Sequence, residues 1–292
     1  MFGLQIRYLS FFFALITVLS FFNIIYSYYL NLYLNLNTYY FSFILSLIIA
    51  VLSYKIKVPE TKISIFKKIL TVFSGYVLLP LILLIPFYFS IYNLTFLNSF
   101  FETISGFTST GFTIFSNVKN IDQSLILWRS STQWIGGLYF LFSIIFLIDI
   151  YDENFKKTLT NFISFNSSEI LKQVTKIFLL YSSLTLFIFI VLNFFSIRTF
   201  DSLNLAFTII SSGGFLPVND LSNIIKDNIQ IIVLSFLMLL SFFSVFFTYN
   251  LIFLRKKNIN FFYEDIQLII YFIVIITIFF LFFSFNSNFS IN

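Results

Sequence analysis

Seven stretches of this chain are apolar over roughly the 17–25 residues that cross a bilayer, and no other feature restricts its fold so severely. They cover about residues 9–30, 39–54, 70–92, 125–150, 175–197, 229–254 and 266–285. The first exceeds a signal-peptide core and lacks a small-x-small cleavage site, so it reads as an uncleaved helix. The second is short for a full span. The third contains Pro80 and Pro86, which predict a kink, tolerated where neighbours satisfy the freed carbonyls. Only 10% of the 292 residues are charged, against about 25% in soluble domains. The expected fold class is therefore an all-α polytopic membrane protein.

The few charges orient it, because basic residues gather on the cytoplasmic side. With the N-terminus cytoplasmic, the inner side carries Arg7; Lys55, Lys57, Lys62, Lys67 and Lys68; Lys156, Lys157, Lys172 and Lys176; and Arg255, Lys256 and Lys257. The outer side carries only Lys119, Arg129, Arg198 and Lys226. The absence of Cys and His removes thiolate and imidazole metal ligands, disulfides and the commonest general base. No carboxylate cluster sits at membrane depth, so neither a membrane enzyme nor a charge-relay transporter is the favoured reading.

Two outer loops depart from this pattern. NSFFETISGFTSTGFT (98–113) places a short apolar helix directly before a hydroxyl- and glycine-rich strip, as in a re-entrant pore loop. A second loop follows at a constant offset of 103 residues: Gly214 answers Gly111, Ser202 answers Ser99, Phe215 answers Phe112 and Asp201 answers Asn98. Asn98 and Asp201 are expected to cap the two pore helices. Spacing of this kind implies a duplicated helix–pore loop–helix unit, the plainer reading being two unrelated Gly/Ser turns. In the duplicated unit, backbone carbonyls replace the hydration shell of a small cation, and glycine allows close approach and unusual torsions. The pore helices aim their partly negative C-termini inward. Thr110, Thr113 and Ser212 add hydroxyl oxygens or brace the strips.

FETISGFTSTGFT followed by LWRSSTQWIGGL (127–138) resembles the first repeat of the TrkH/KtrB family of potassium-uptake proteins. AFTIISSGGFLPVND (206–220) resembles the second repeat. The resemblance implies that Gly111 and Gly214 are filter glycines. The strips are then Ser109, Thr110, Gly111, Phe112 and Thr113, and Ser212, Gly213, Gly214, Phe215 and Leu216, with potassium at Thr110, Gly111, Gly213 and Gly214. Potassium is the transported substrate, and no covalent cofactor is expected. The family architecture implies four such repeats around one pore, homodimers, and a cytoplasmic nucleotide-binding regulatory subunit (TrkA/KtrA-like).

The implied organisation is an N-terminal helix pair (1–64), a first repeat (65–154), a second repeat (155–258) and the first helix of an incomplete third (259–292). Two pore loops stand where the family has four, which suggests the N-terminal portion of a truncated or split transporter, completed by a C-terminal half. Tyr139 occupies a position where the family has a small residue. Glu102 reads as an acid favoured by the helix dipole near the start of the pore helix, ahead of a role in attracting cations. Asp122 and Arg129 read as interfacial charges or an ion pair, with bracing of the loop the lesser alternative, and Gly136-Gly137 as a close helix contact more than a hinge. Uptake through such a pore is driven by the membrane potential. About 100 mV supplies ~2.3 kcal/mol per charge, or roughly 50-fold accumulation.

Overall fold

The computed structural model describes residues 6–56, 64–147 and 167–242, together with helical residues 267, 270–271, 273–278 and 281–282. Lys57, Lys62, Asp149, Asp152, Glu153, Lys156, Lys157 and the basic triplet 255–257 lie outside the described residues. The chain divides into two compact units, Met1–Phe242 and Phe243–Asn292. In the second, the described residues are helical, as the seventh run predicts.

The first unit runs α1 (Ser10–Tyr29), α2 (Leu36–Lys55), α3 (Ile65–Leu83), α4 (Ile85–Tyr88), α5 (Phe96–Phe107), α6 (Gln123–Leu147), α7 (Ser167–Phe194), α8 (Thr199–Ile210) and α9 (Asn228–Phe242). Four helical stretches among the described residues are long and apolar enough to cross a membrane: Ile6–Tyr29, Leu36–Lys55, Ile65–Tyr88 and Val174–Phe194. They make this a multi-pass membrane protein. The second run, short by hydropathy, gains a turn at its N-terminal end, where Leu36, Asn37 and Thr38 continue the helix. The third run is interrupted at Leu84, after which Pro86 sits in the first turn of α4, where its missing N–H costs least.

α1 and α2 pair through small hydroxyl residues: Thr17 bonds Ser46 (2.9 Å) and Ser20 donates to Ser42 (3.2 Å). Small side chains let helices approach closely in a membrane, where apolar attraction between them is weak. Beyond this hairpin, α6 is the hub. It packs against α1, α3, α5, α7 and α8, and every residue from 124 to 136 is buried. Tyr139 explains its own departure from the family pattern, because it fills a notch opened by Gly75 on α3. A β-carbon on Gly75 would fall 1.9 Å from the Tyr139 hydroxyl. That hydroxyl donates to the Val72 carbonyl (2.9 Å), and the ring contacts Phe12, Tyr76 and Phe107.

The internal repeat is visible in the backbone. α5 and α8 begin and end 103 residues apart, and so do the 3-10 turns Val118–Asn120 and Leu221–Asn223. The expected caps are displaced. Thr95 caps α5, its hydroxyl accepting from the Asn98 N–H (3.3 Å), while Arg198 holds the N-cap position of α8 without a side-chain cap. Asn98 and Asp201 fall inside the first turns. There Asp201 is suited to the helix dipole rather than to capping.

Candidate functional site

The two short helices α5 and α8 end in the same construction. Each turns through a left-handed serine, Ser109 (φ 55°) and Ser212 (φ 51°). The Thr110 N–H then bonds back to the Ser105 carbonyl, and the Gly213 N–H to the Thr208 carbonyl, both at 2.9 Å. From the same two residues, the Ser105 hydroxyl donates to the Phe112 carbonyl (2.5 Å) and the Thr208 hydroxyl to the Phe215 carbonyl (2.8 Å). Every partner in these bonds is displaced by 103 residues from its counterpart. The N–H groups of Ser109, Thr110, Gly111, Ser212 and Gly213 thus bond back to the short helices. None of the carbonyls of Ser109, Thr110, Gly111, Ser212, Gly213 and Gly214 accepts a hydrogen bond among the described residues.

The strips meet at their glycines. A β-carbon on Gly111 would stand 2.7 Å from the Gly214 Cα, and Gly111 itself has φ +81°. Only glycine takes that torsion cheaply while letting another backbone approach this closely. The pairing is not symmetric in its surroundings. Phe112 is 69% exposed, whereas Phe215 is 1% exposed beneath the Arg129 guanidinium. Thr110, Thr113, Ser212 and Gly214 are exposed, while Ser109, Gly111, Gly213 and Leu216 are half-buried. The Thr110 hydroxyl bonds that of Thr108 (2.7 Å).

The helix behind the strips accounts for the WRSSTQW pattern residue by residue. Trp128 donates to the Leu83 carbonyl (2.9 Å), Ser130 to Asn204 Oδ1 on α8 (2.6 Å), and Trp134 to the Thr185 hydroxyl on α7 (2.9 Å). Gln133 serves the second strip. Its amide satisfies all its neighbours when the oxygen accepts from the Gly214 (2.9 Å) and Phe215 (3.0 Å) N–H groups and the nitrogen donates to the Thr208 hydroxyl (3.1 Å); that orientation is assigned from the network. Gly136 is the contact point with α5, since a β-carbon there would lie 1.9 Å from the Phe107 carbonyl oxygen. Gly137 meets Tyr181 and Ser211 in the same way, so the pair marks close packing, as its spacing suggests.

The structure corrects Glu102 and favours the loop-bracing alternative for Arg129, which bonds Thr113 and the Leu216 carbonyl. Glu102 lies in the middle of α5, not at its start, and is 0% exposed. Its partner is Arg129, at 2.8 Å. Asp122 belongs to another knot, where it accepts from Asn35 (2.6 Å), Tyr92 (3.2 Å) and Ser124. Glu102 also accepts from the Thr113 hydroxyl (3.0 Å) and the Ile114 N–H (2.9 Å). The i, i+4 spacing of Arg129 and Gln133 puts them on one helix face, a signal that was present in the sequence. Their partners lie 16 to 87 residues away in the chain.

Comparison with known proteins follows the same lines. No protein-family model matches the chain. Over 170 residues, 52% of this chain and 34% of the relative, it is 28% identical to an uncharacterized cation transporter of Methanocaldococcus jannaschii. It is 27% identical over 138 residues (45% of this chain, 29% of the relative) to the Trk system potassium uptake protein TrkH of Escherichia coli. The fold matches the crystal structure of the potassium transporter TrkH from Vibrio parahaemolyticus with a TM-score of 0.64 at 17% identity, over 82% of this chain and 48% of that one. Over the part these relatives match, the chain is similar to TrkH-type potassium uptake proteins. It spans less than half the length of each of them. The relatives named are transporters, and this chain shares the all-helical fold of the solved one.

Proposed function

We propose that this chain is a TrkH/KtrB-family protein and supplies two walls of a potassium-conducting pore in the cytoplasmic membrane. The observation that carries the reading is the disposition of the two strips. Their N–H groups are tied back to α5, α8 and Gln133, while six consecutive-strip carbonyls have no hydrogen-bond partner. Carbonyls held in this way can replace the hydration shell of a cation without reorganising when it arrives. In this assignment Thr110, Gly111, Gly213 and Gly214 hold potassium, flanked by Ser109 and Ser212. Phe112, Thr113 and Phe215 fix the outer ends of the strips.

The helix pair 1–64 supports the first repeat (65–154) and second repeat (155–258), with 259–292 opening a third. The N-terminus is cytoplasmic, and the membrane potential drives uptake. Two strips do not enclose an ion. The remaining walls come from a partner, either a second copy of the chain or a C-terminal transporter half, and a nucleotide-binding regulatory subunit docks on the cytoplasmic side. Potassium-limited growth of an uptake-deficient bacterium tests the reading, with the chain expressed alone and beside a C-terminal half. Rescue is expected to disappear with Gly111→Asp and with Gly214→Asp. Rescue that survives both substitutions sinks the filter assignment.

A further inference from the structure

The Arg129–Glu102 pair is 1% and 0% exposed, in a segment where charges are costly. A buried ion pair adds little net stability over an apolar pair of similar volume, so its contribution is better sought in geometry. Arg129 spends its donors on three different elements. Nε reaches Glu102 on α5 (2.8 Å), Nη2 reaches the Thr113 hydroxyl at the end of the first strip (3.0 Å), and Nη1 reaches the Leu216 carbonyl at the end of the second (3.3 Å). The guanidinium also lies 4.2 Å from the centre of the Phe215 ring. One rigid fork therefore bridges both strips.

The internal repeat does not duplicate this device. The positions 103 residues beyond Glu102, Thr113 and Arg129 are Leu205, Leu216 and Ile232. The repeats are also joined beyond the strips, where Asn219 bonds Asn117 (3.1 Å) and the Val118 N–H (2.7 Å), but among the described residues Arg129 is the side chain that bonds both strips.

We propose that Arg129, held by Glu102, is the positioning residue that sets the separation of the two strips and thereby the discrimination between potassium and sodium. This rests on the filter reading above. Arg129 donates to no strip carbonyl assigned to the ion, and Glu102 neutralises it, so it acts through Thr113 and Leu216 and not on the cation. Lysine keeps the charge but is a point donor on a flexible stem and cannot reproduce the fork. Arg129→Lys therefore separates geometry from charge.

The chain has no cysteine, so spin labels at Phe112→Cys and Ser212→Cys report the strip separation directly in lipid nanodiscs. The samples hold the chain assembled with the partner that completes the pore, and thermal midpoints across KCl and NaCl titrations report their cation preference. Arg129→Lys is expected to broaden the label distances and to lower the potassium-over-sodium preference by about tenfold, the scale of one lost charge-assisted hydrogen bond. Thr113→Val, which removes one leg of the link and leaves the ion pair, is expected to give an intermediate broadening should Arg129→Lys fail to fold. Unchanged label distances in both variants, or broadened distances with unchanged preference, overturn the proposal. A wild-type assembly, the chain together with the partner that completes the pore, that does not distinguish the cations overturns the filter reading itself and the selectivity role with it. The label distances then still decide whether Arg129 joins the strips.

Discussion

Gly111 and Gly214 occupy equivalent positions in the repeat, yet their replacement by alanine should have unequal consequences. Gly111 has φ +81°, and an added β-carbon would stand 2.7 Å from the Gly214 Cα, a backbone atom that cannot swing away. The torsion costs about 1–2 kcal/mol for a residue with a β-carbon, and forcing the two backbones apart costs about 1–3 kcal/mol more. At Gly214 the torsion is ordinary, and the nearest atom to a new β-carbon is the Gly111 Cα at 3.2 Å. A shift of a few tenths of an ångström relieves that contact, and the loss of unfolded-state freedom offsets about 0.4–1 kcal/mol. Gly111→Ala should therefore lower stability by about 2–5 kcal/mol and Gly214→Ala by less than about 1 kcal/mol. The fraction of folded chain surviving a temperature series in detergent, read by size-exclusion chromatography, measures both. Equal losses would mean that the strips do not meet as described, and the reasoning from glycine contact would fall.

Three other outcomes follow from named contacts. Glu102→Gln and Arg129→Gln should each cost about 3–5 kcal/mol, because each strands a buried partner, while Glu102→Leu with Arg129→Met should cost less than either; thermal midpoints of the four chains form the cycle. Gly75→Ala should be strongly destabilising and substantially rescued by Tyr139→Leu, which removes the ring that the new methyl would strike; the midpoint of the double variant, compared with both singles, checks this. Burial, and then the neighbouring Asp122 carboxylate, push the Tyr92 hydroxyl up from 10.0 to about 12. The folded chain thus holds that proton more tightly than the unfolded one. Its contribution is complete below about pH 10 and lost as the pH rises through about 12. An alkaline unfolding profile should show this loss in the wild type and lack it in Tyr92→Phe.

Much of this architecture was legible because membrane helices advertise themselves by length and apolarity, and because the repeat preserves its spacing. The offset of 103 residues, read from Gly111 and Gly214, recurs in both short helices and in the 3-10 turns beyond them. Helix ends were less legible. Asn98 and Asp201 are good caps by type, but where a helix begins is decided by which backbone turns first, and Thr95 and Arg198 turn three residues earlier. The role of Glu102 was hidden for another reason. An acid in a short apolar helix has a cheap explanation in the helix dipole, and nothing local points to a guanidinium 27 residues away. Tyr139 read as an anomaly until Gly75, 64 residues upstream, supplied the space for it. Long-range compensation of this sort leaves no periodic signal in a single sequence.

The central claim, that the carbonyls of the two glycine strips coordinate the transported cation, is tested most directly by locating a heavier potassium surrogate. Anomalous scattering from crystals of the protein grown with rubidium or thallium should place the cation between the strips, against the carbonyl oxygens of Thr110, Gly111, Gly213 and Gly214. Cation density elsewhere in the protein, with those carbonyls facing none, would contradict the account.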